Sequence, residues 1–454
     1  MNHNWGSLHA TFLSNLFSLF NDYNIKYFVL RNFELLPEDN IGTDVDIVIE
    51  PGKYKIVSNL IKDEMKSCEI VFYQVVQFDR MRCWYIMDYK LNFSIHLDII
   101  ENEVYKGFEF YSFAELYNNT VKYKNFYVLN REYDILLLLV QNLVAYKSLK
   151  EQYRKKVQLI YPKIKNRIDN NLKSFWGEKL GYRIIKDLET NNFDNIISHS
   201  KDLEKAALKR IFQQKTLKTI KNISRFLLGK FYRIIICPRK FWRFIAVEAP
   251  DGTGKTTFID ALIEKMQFYY NSPKSRFCVH HFRPEMLPNL GAVGEKAGIA
   301  KQDKDFTNPH RAKTAGKISS LLRMTYYWFD YILGVPYFLR KEVQYGHYTI
   351  FDRYIYDFLI DPKRSRINLP YSLRKLYSKF VIEPQIVFVL YADTDVIYKR
   401  KQELTKEEIE RQLLEFKKLE KEGERFVFIN ANRSVNEMVS EASRLILEKF
   451  MDRV

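Results

Sequence analysis

The stretch Ile245–Thr257, I-A-V-E-A-P-D-G-T-G-K-T-T, constrains the fold of this 454-residue chain more than any other. An apolar run, Phe244–Val247, leads into a Gly-rich turn, and Lys255-Thr256-Thr257 opens an amphipathic pattern. Strand, glycine turn and helix in that order make a P-loop, whose backbone N–H groups and positive helix end cradle phosphate oxygens. The loop departs from G-x-x-x-x-G-K-[ST] only at its first position, where Ala249 stands for Gly. Lys255 is placed to reach the β- and γ-phosphates and Thr256 to ligate Mg²⁺. ATP and Mg²⁺ are therefore the expected ligands, with Asp251, Gly252, Thr253, Gly254, Lys255, Thr256 and Thr257 as the nucleotide-binding residues.

Three further segments after the loop carry chemistry-bearing residues. His280-His281-Phe282-Arg283-Pro284 follows a second predicted strand, where Arg283 can hold an anionic group of an acceptor or lie as a plain loop arginine. Tyr348–Tyr354 is an apolar strand ending in Asp352-Arg353-Tyr354. An Asp at that carboxyl edge faces the crevice where ligands sit in doubly wound sheets. It can bind Mg²⁺ through water or take the acceptor hydroxyl's proton, while Arg353 offsets charge on the transferred phosphoryl group; an ordinary structural salt bridge is the alternative for the pair. Beyond the strand Gln385–Leu390, Arg400 and Arg411 are candidates for a helical flap that closes over ATP. For Arg411 a solvated helix face paired with Glu407 serves equally well.

Around these motifs the chain divides into three zones. Residues 1–130 alternate helical and strand-like runs, with predicted strands at Tyr27–Leu30, Val45–Ile49, Val71–Val76, Arg82–Met87 and Phe93–Ile99. Residues 131–242 read as a helical extension ending in a basic linker. Residues 243–454 form a second α/β alternation, with strands at Phe244–Val247, Tyr348–Phe351, Gln385–Leu390 and Arg425–Ile429. No apolar run approaches a membrane span, the longest being Ile135–Val140, and Met1–Trp5 lacks the basic-then-apolar pattern of a signal peptide. Cys68, Cys83, Cys237 and Cys278 form no C-x-x-C pair, which argues for reduced thiols and a cytoplasmic chain.

The net charge of +17 is uneven: Lys215–Arg243 holds nine Lys and Arg and no Asp or Glu. Its Leu217, Ile220, Leu227, Phe231 and Ile234 recur at roughly helical spacing. Such a segment can make peripheral contact with an anionic membrane. The bland alternative is a solvated interdomain connector, and nucleic-acid binding ranks below both.

Residues 243–454 resemble the thymidylate kinase family of P-loop kinases through D-G-T-G-K-T-T, Asp352-Arg353-Tyr354 and the Arg-bearing flap, in that order. More closely, they resemble the thymidylate kinase-like proteins of bacterial surface-polysaccharide gene clusters, which share A/G-P-D-G-x-G-K-[ST], H-x-R-P and a block matched here by Phe351–Arg364. The resemblance implies a parallel sheet flanked by helices, ATP as donor, and Lys255, Asp352, Arg353 and Arg400 as catalytic residues. Arg283 and Tyr354 would bind the acceptor. True thymidylate kinases follow D-R-Y with a Ser and an Ala-Tyr-Gln helix that reads thymine; this chain has Ile355–Arg364 instead.

At the other end, Asp44 and Asp46 stand at i and i+2 on a predicted strand, and Asp98 sits on a later one. Alternation points the first two to one face, and three converging carboxylates can hold Mg²⁺. A helix, then Tyr27–Asn32, then D-x-D, then a lone Asp resembles the nucleotidyltransferase superfamily, whose α+β fold residues 1–130 would share. That family carries Gly-Gly or Gly-Ser after the first strand, and this chain has Arg31-Asn32. The expected protein is a kinase acting on a sugar-containing acceptor in cell-surface polysaccharide biosynthesis. The alternatives are a nucleoside monophosphate kinase of the thymidylate type and, from another class, an ATP-gated switch or defence module.

Overall fold

Runs of β-branched and aromatic residues build the strands, and their alternation decides which side chains face which layer. In the computed structural model, residues 5–78, 81–102, 104–271, 275–288 and 316–454 are described. They form two units, Met1–Lys230 with Asp452–Val454, and Phe231–Met451.

The first unit holds strands β1 (Tyr27–Val29), β2 (Val45–Ile49), β3 (Phe72–Phe78), β4 (Met81–Asp88), β5 (Phe93–Ile100), the hairpin β6 (Val104–Tyr105) and β7 (Phe108–Glu109), then β8 (Thr120–Tyr123) and β9 (Phe126–Leu129). Eight strands join in one mixed sheet, ordered β15-β3-β4-β5-β2-β1-β9-β8, with β15 being Asp452–Arg453. Helices α1 (Ser7–Asp22) and α2 (Tyr54–Ser67) lie on one face. There Phe12, Leu16, Phe17, Leu60 and Ile61 pack with Tyr27, Val29, Ile47, Ile49, Ile95, Leu97 and Ile99. Residues of the opposite parity, among them Asp46, Cys83, His96 and Asp98, therefore share the other face.

That second face carries Phe28, Val48 and Ile100 into a core shared with the helices that follow. These are α3 (Phe113–Tyr117), α4 (Arg131–Val140), α5 (Glu151–Trp176), α6 (Glu178–Glu189), α7 (Phe193–Ser198) and α8 (Ser200–Gln214); α9 (Thr216–Phe231) follows them and gives no apolar side chain to that core. The run Ile135–Val140 is buried throughout, which explains its uninterrupted hydrophobicity. The helices of 131–214 thus close the core of the first sheet instead of standing as a separate layer.

The second unit is built on β10 (Phe244–Glu248), β11 (Phe277–His281), β12 (Tyr348–Asp352), β13 (Ile386–Tyr391) and β14 (Phe426–Asn430). They form a parallel sheet in the order β11-β12-β10-β13-β14. Helix α10 (Lys255–Tyr270) follows β10, helices Lys317–Val343, Tyr371–Ser378 and Lys406–Leu419 lie in the later crossovers, and Val435–Phe450 follows β14. The result is the sheet flanked by helices expected for a P-loop kinase-like fold. Because β10 has β12 on one side and β13 on the other, the chain changes direction across the sheet at β10. In sheets of this order, ligands bind at that point, beyond the strands' carboxyl ends.

No helix among the described residues is long and apolar enough to cross a membrane.

Candidate active site

The loop after β10 delivers its glycines in the conformation that phosphate binding needs. Gly252 and Gly254 have φ of +87° and +98°, the left-handed region open to glycine without strain. A Cβ on Gly252 would also stand 2.9 Å from the Lys401 Cβ. Thr253 Oγ1 donates to the Pro250 carbonyl at 2.9 Å, closing the turn. Helix α10 then begins at Lys255, with Thr256 and Thr257 exposed in its first turn. The hydroxyl of Thr256 and the helix-end N–H groups fit a nucleotide phosphate with its Mg²⁺.

Asp352, at the end of β12, is brought to the same point. One of its oxygens takes the Lys255 ammonium and the other lies 2.9 Å from His281 Nδ1 at the end of β11. Burial and the nearby Arg353 guanidinium push the Lys255 ammonium down to about 7. Phosphate oxygens arriving there would favour its charged form again. His281 has no role among the sequence expectations, although it ends the strand that leads into Arg283.

Arg353 does not face an open crevice. Its φ is +72°, and its guanidinium, 2% exposed, is held by Asp357 at 2.7 Å and by Asp251 at 2.6 Å. Asp251 also takes Arg364 on its other oxygen. The loop carboxylate is therefore clasped by two arginines from the segment after β12, and the block Phe351–Arg364 gains a structural meaning that motif matching did not supply. Asp361 lies 3.5 Å from Arg364 Nε and extends this network. Glu248, fully buried, accepts the Tyr354 N–H at 2.7 Å through one oxygen, and its other has no partner. Burial first, then the Asp357 charge, push its carboxyl up to about 8 against the pull of Arg353.

Arg400 reaches the loop as expected, donating to the Thr253 carbonyl at 3.2 Å and the Ala431 carbonyl at 3.3 Å. It ends the helix Thr394–Arg400, and Thr405 caps the next helix by accepting the Glu408 N–H. Arg411 is not brought to the loop: it binds Glu408 at 2.7 Å and the Ile360 carbonyl at 2.8 Å. Its partner is Glu408 at i−3, where sequence spacing had suggested Glu407.

The two residues expected to bind the acceptor are engaged internally. Arg283 is buried and donates to Asp330 at 3.0 Å, and Asp330 also takes the Leu287 N–H at 2.8 Å. The pair ties the segment after β11 to the helix Lys317–Val343. Tyr354 is fully buried and gives its hydroxyl to the Ile382 carbonyl at 2.6 Å, so its ring belongs to the core and not to an acceptor's surface. Apolar packing with Phe244 and Phe351 explains the placement.

In the first unit, carboxylate oxygens of Asp44, Asp46 and Asp98 lie within 4.8 Å of one another. Strand pairing does this: Asp46 stands opposite Asp98 in the parallel β2–β5 ladder. Asp44 precedes β2, which starts at Val45, so it joins the cluster from a loop and not from the strand the sequence suggested. Asp46 Oδ1 is buried without a partner, while Oδ2 takes Arg31 Nε at 2.7 Å. Burial pushes Asp46 up to about 7, with Asp44 and Asp98 adding to it against Arg31. The donor set fits a divalent cation. Asn32 occupies the position after Arg31 with φ +55°, the left-handed conformation that glycine would hold there.

Cys83 and His96 adjoin the same cluster, their ligand atoms within 4.8 Å of one another and of an Asp98 oxygen. Sequence spacing hid them, because the antiparallel β4–β5 register sets Cys83 opposite Asp98. His96 and Cys83 outweigh the burial that would raise Asp98, and hold its carboxyl below the ordinary range. All four cysteines are free.

No protein-family model matches this chain, and no curated protein matches it. Among solved structures, the thymidylate kinase from Ehrlichia chaffeensis is similar over 45% of this chain and 97% of its own length, at 19% identity and a TM-score of 0.30. A likeness that distant does not bear on the reaction, which has to be argued from the site.

Proposed function

We propose that the chain is an ATP-dependent phosphotransferase whose acceptor contains a sugar. The observation carrying this reading is the meeting of Lys255, the left-handed Gly252 and Gly254, and the exposed first turn of α10 with Asp352 from the adjacent strand. Lys255 and the loop N–H groups would hold the β- and γ-phosphates, and Thr256 the Mg²⁺, with Asp352 meeting the ion only through water so that a carboxylate oxygen stays open to the proton. That ion supplies neutralisation of charge on the phosphoryl oxygens. Asp352, released from Lys255 as phosphates replace it, takes the proton of the attacking hydroxyl. The bond from the γ-phosphorus to the β–γ bridging oxygen breaks as the acceptor oxygen bonds to phosphorus, leaving ADP. Arg400, anchored on the Thr253 carbonyl, would order the loop once phosphate arrives.

The acceptor class rests on the resemblance of the Phe351–Arg364 block to kinases of surface-polysaccharide clusters. The internal engagement of Arg353, Asp357 and Arg364 supports it, since none of these is free to read a nucleobase. The first unit, with its carboxylates, is read as a nucleotidyltransferase-like domain that holds the acceptor or adds a second transfer. The test is transfer of label from γ-labelled ATP to a lipid-linked glycan extract and, separately, to thymidylate. Labelling of glycan by the wild type and not by Lys255→Ala is expected. Efficient labelling of thymidylate with none of glycan overturns the acceptor, and no transfer to either overturns the kinase.

A further inference from the structure

Helix α9 rests on the protein by its polar side. Thr219 and Asn222 are 2% and 4% exposed, whereas Leu217, Ile220, Leu227 and Leu228 are 85%, 48%, 57% and 67% exposed. The platform beneath is the β6–β7 hairpin. Buried Glu109 takes Lys218 at 2.5 Å and Lys215 at 3.5 Å. Gly107, with φ +94°, lets the hairpin approach the Ile223 backbone, where a Cβ would stand 2.7 Å from the Ile223 nitrogen.

An amphipathic helix ordinarily buries its apolar stripe and wets the other side. Here the orientation is inverted. At 3.6 residues per turn, the four exposed aliphatic residues span about 100° of the outer surface, and Lys221, Arg225 and Lys218 occupy roughly the next 60°. Lys218 is paired with Glu109, and no Asp or Glu occurs between Lys215 and Arg243 to offset Lys221 and Arg225. A single-sign basic flank beside an outward apolar arc is the pattern of a helix lying in the plane of a lipid interface.

We infer that α9 is an anionic-membrane docking element. Leu217, Ile220, Leu227 and Leu228 enter the acyl boundary, and Lys221 and Arg225 meet the phosphate headgroups. Both the apolar arc and the charge select this occupant. A nucleic acid would use the cations and leave four aliphatic side chains in water, and a second copy of α9 would oppose one cationic flank with another. The inference is independent of the reaction assigned to the P-loop, because its test reads vesicle binding and not phosphate transfer.

The test uses the full chain with vesicles of phosphatidylglycerol and phosphatidylcholine in equal parts, against vesicles of phosphatidylcholine alone. Flotation with the anionic vesicles is expected, with at least tenfold weaker binding to neutral ones. Leu227→Glu with Leu228→Glu should abolish flotation while leaving the melting temperature unchanged, since both side chains are exposed. Lys221→Glu with Arg225→Glu should erase the preference for anionic lipid. In a Leu228→Trp variant, emission should shift to the blue on anionic vesicles only, which reports insertion at that residue. Equal binding to both vesicle types, or flotation that survives the leucine pair, overturns the inference. So does a dimer that the leucine pair converts to monomer with no vesicle binding by either, or DNA binding without vesicle binding.

Discussion

Around the P-loop, Asp251, Asp352 and Asp357 each meet a guanidinium or ammonium group directly. On the sheet face of the first unit, Asp44, Asp46 and Asp98 converge on one another, with Arg31 on Asp46 and His96 on Asp98. The two arrangements suit opposite ligands. Neutralising the loop's own carboxylate removes its repulsion toward a polyanion, so the backbone N–H groups of Gly252–Thr256 can face phosphate. Asp44 and Asp98 raise the affinity of Asp46 for a proton, and a divalent cation relieves the same repulsion. On this contrast rests the proposal that the second unit takes an anion and the first a cation.

The largest effect that would break this contrast is on catalysis. Lys255→Ala should lower ATP-dependent transfer by about a thousandfold, whereas Asp46→Asn should leave it intact; equal losses would mean that the two clusters act as one site. Next, Arg353→Ala leaves Asp357 buried and unpaired and loosens Asp251, costing about 3–5 kcal/mol in a denaturant titration. Gly252→Ala places a Cβ against Lys401 at a φ foreign to alanine, and should weaken nucleotide binding by roughly tenfold or more, read by calorimetry.

Two smaller effects sharpen the comparison. Arg31→Ala removes the cation that competes for Asp46, so Mn²⁺ binding to the first unit should tighten by about threefold to tenfold in paramagnetic titration; unchanged affinity would remove the cation reading. Glu248 titrates near 4.5 when unfolded and at about 8 when folded. The folded chain therefore holds an extra proton, and stability falls as pH rises across that window. Glu248→Gln lacks this titration, so its melting temperature should gain on wild type between pH 5 and pH 8 by ~2–4 °C; parallel curves would show that Glu248 is charged throughout.

Much of the fold was legible. Strand Val45–Ile49 stands where β-branched alternation put it, and Phe244–Val247 extends by one residue to Glu248. Local pattern suffices there because each strand is an apolar run bounded by turn residues. The donor side of the site was legible for the same reason: a P-loop is contiguous, so its glycines, Lys255 and Thr256 arrive together. The acceptor side was not. Arg283 and Tyr354 have the residue types that bind anions and rings, yet Asp330, 47 residues away, takes the one and the Ile382 carbonyl the other.

The sequence by itself determined the strands β2 and β10, the phosphate loop and the basic amphipathic segment, because each is encoded by neighbours along the chain. Only the tertiary structure decided the rest. Strand register set Cys83 and Asp46 beside Asp98, and the turn after β12 aimed Arg353 and Arg364 at Asp251. The β6–β7 hairpin turned the polar side of α9 inward. In each case the partner is far away in sequence, and charge or burial can choose among distant partners only once the backbone has brought them within reach.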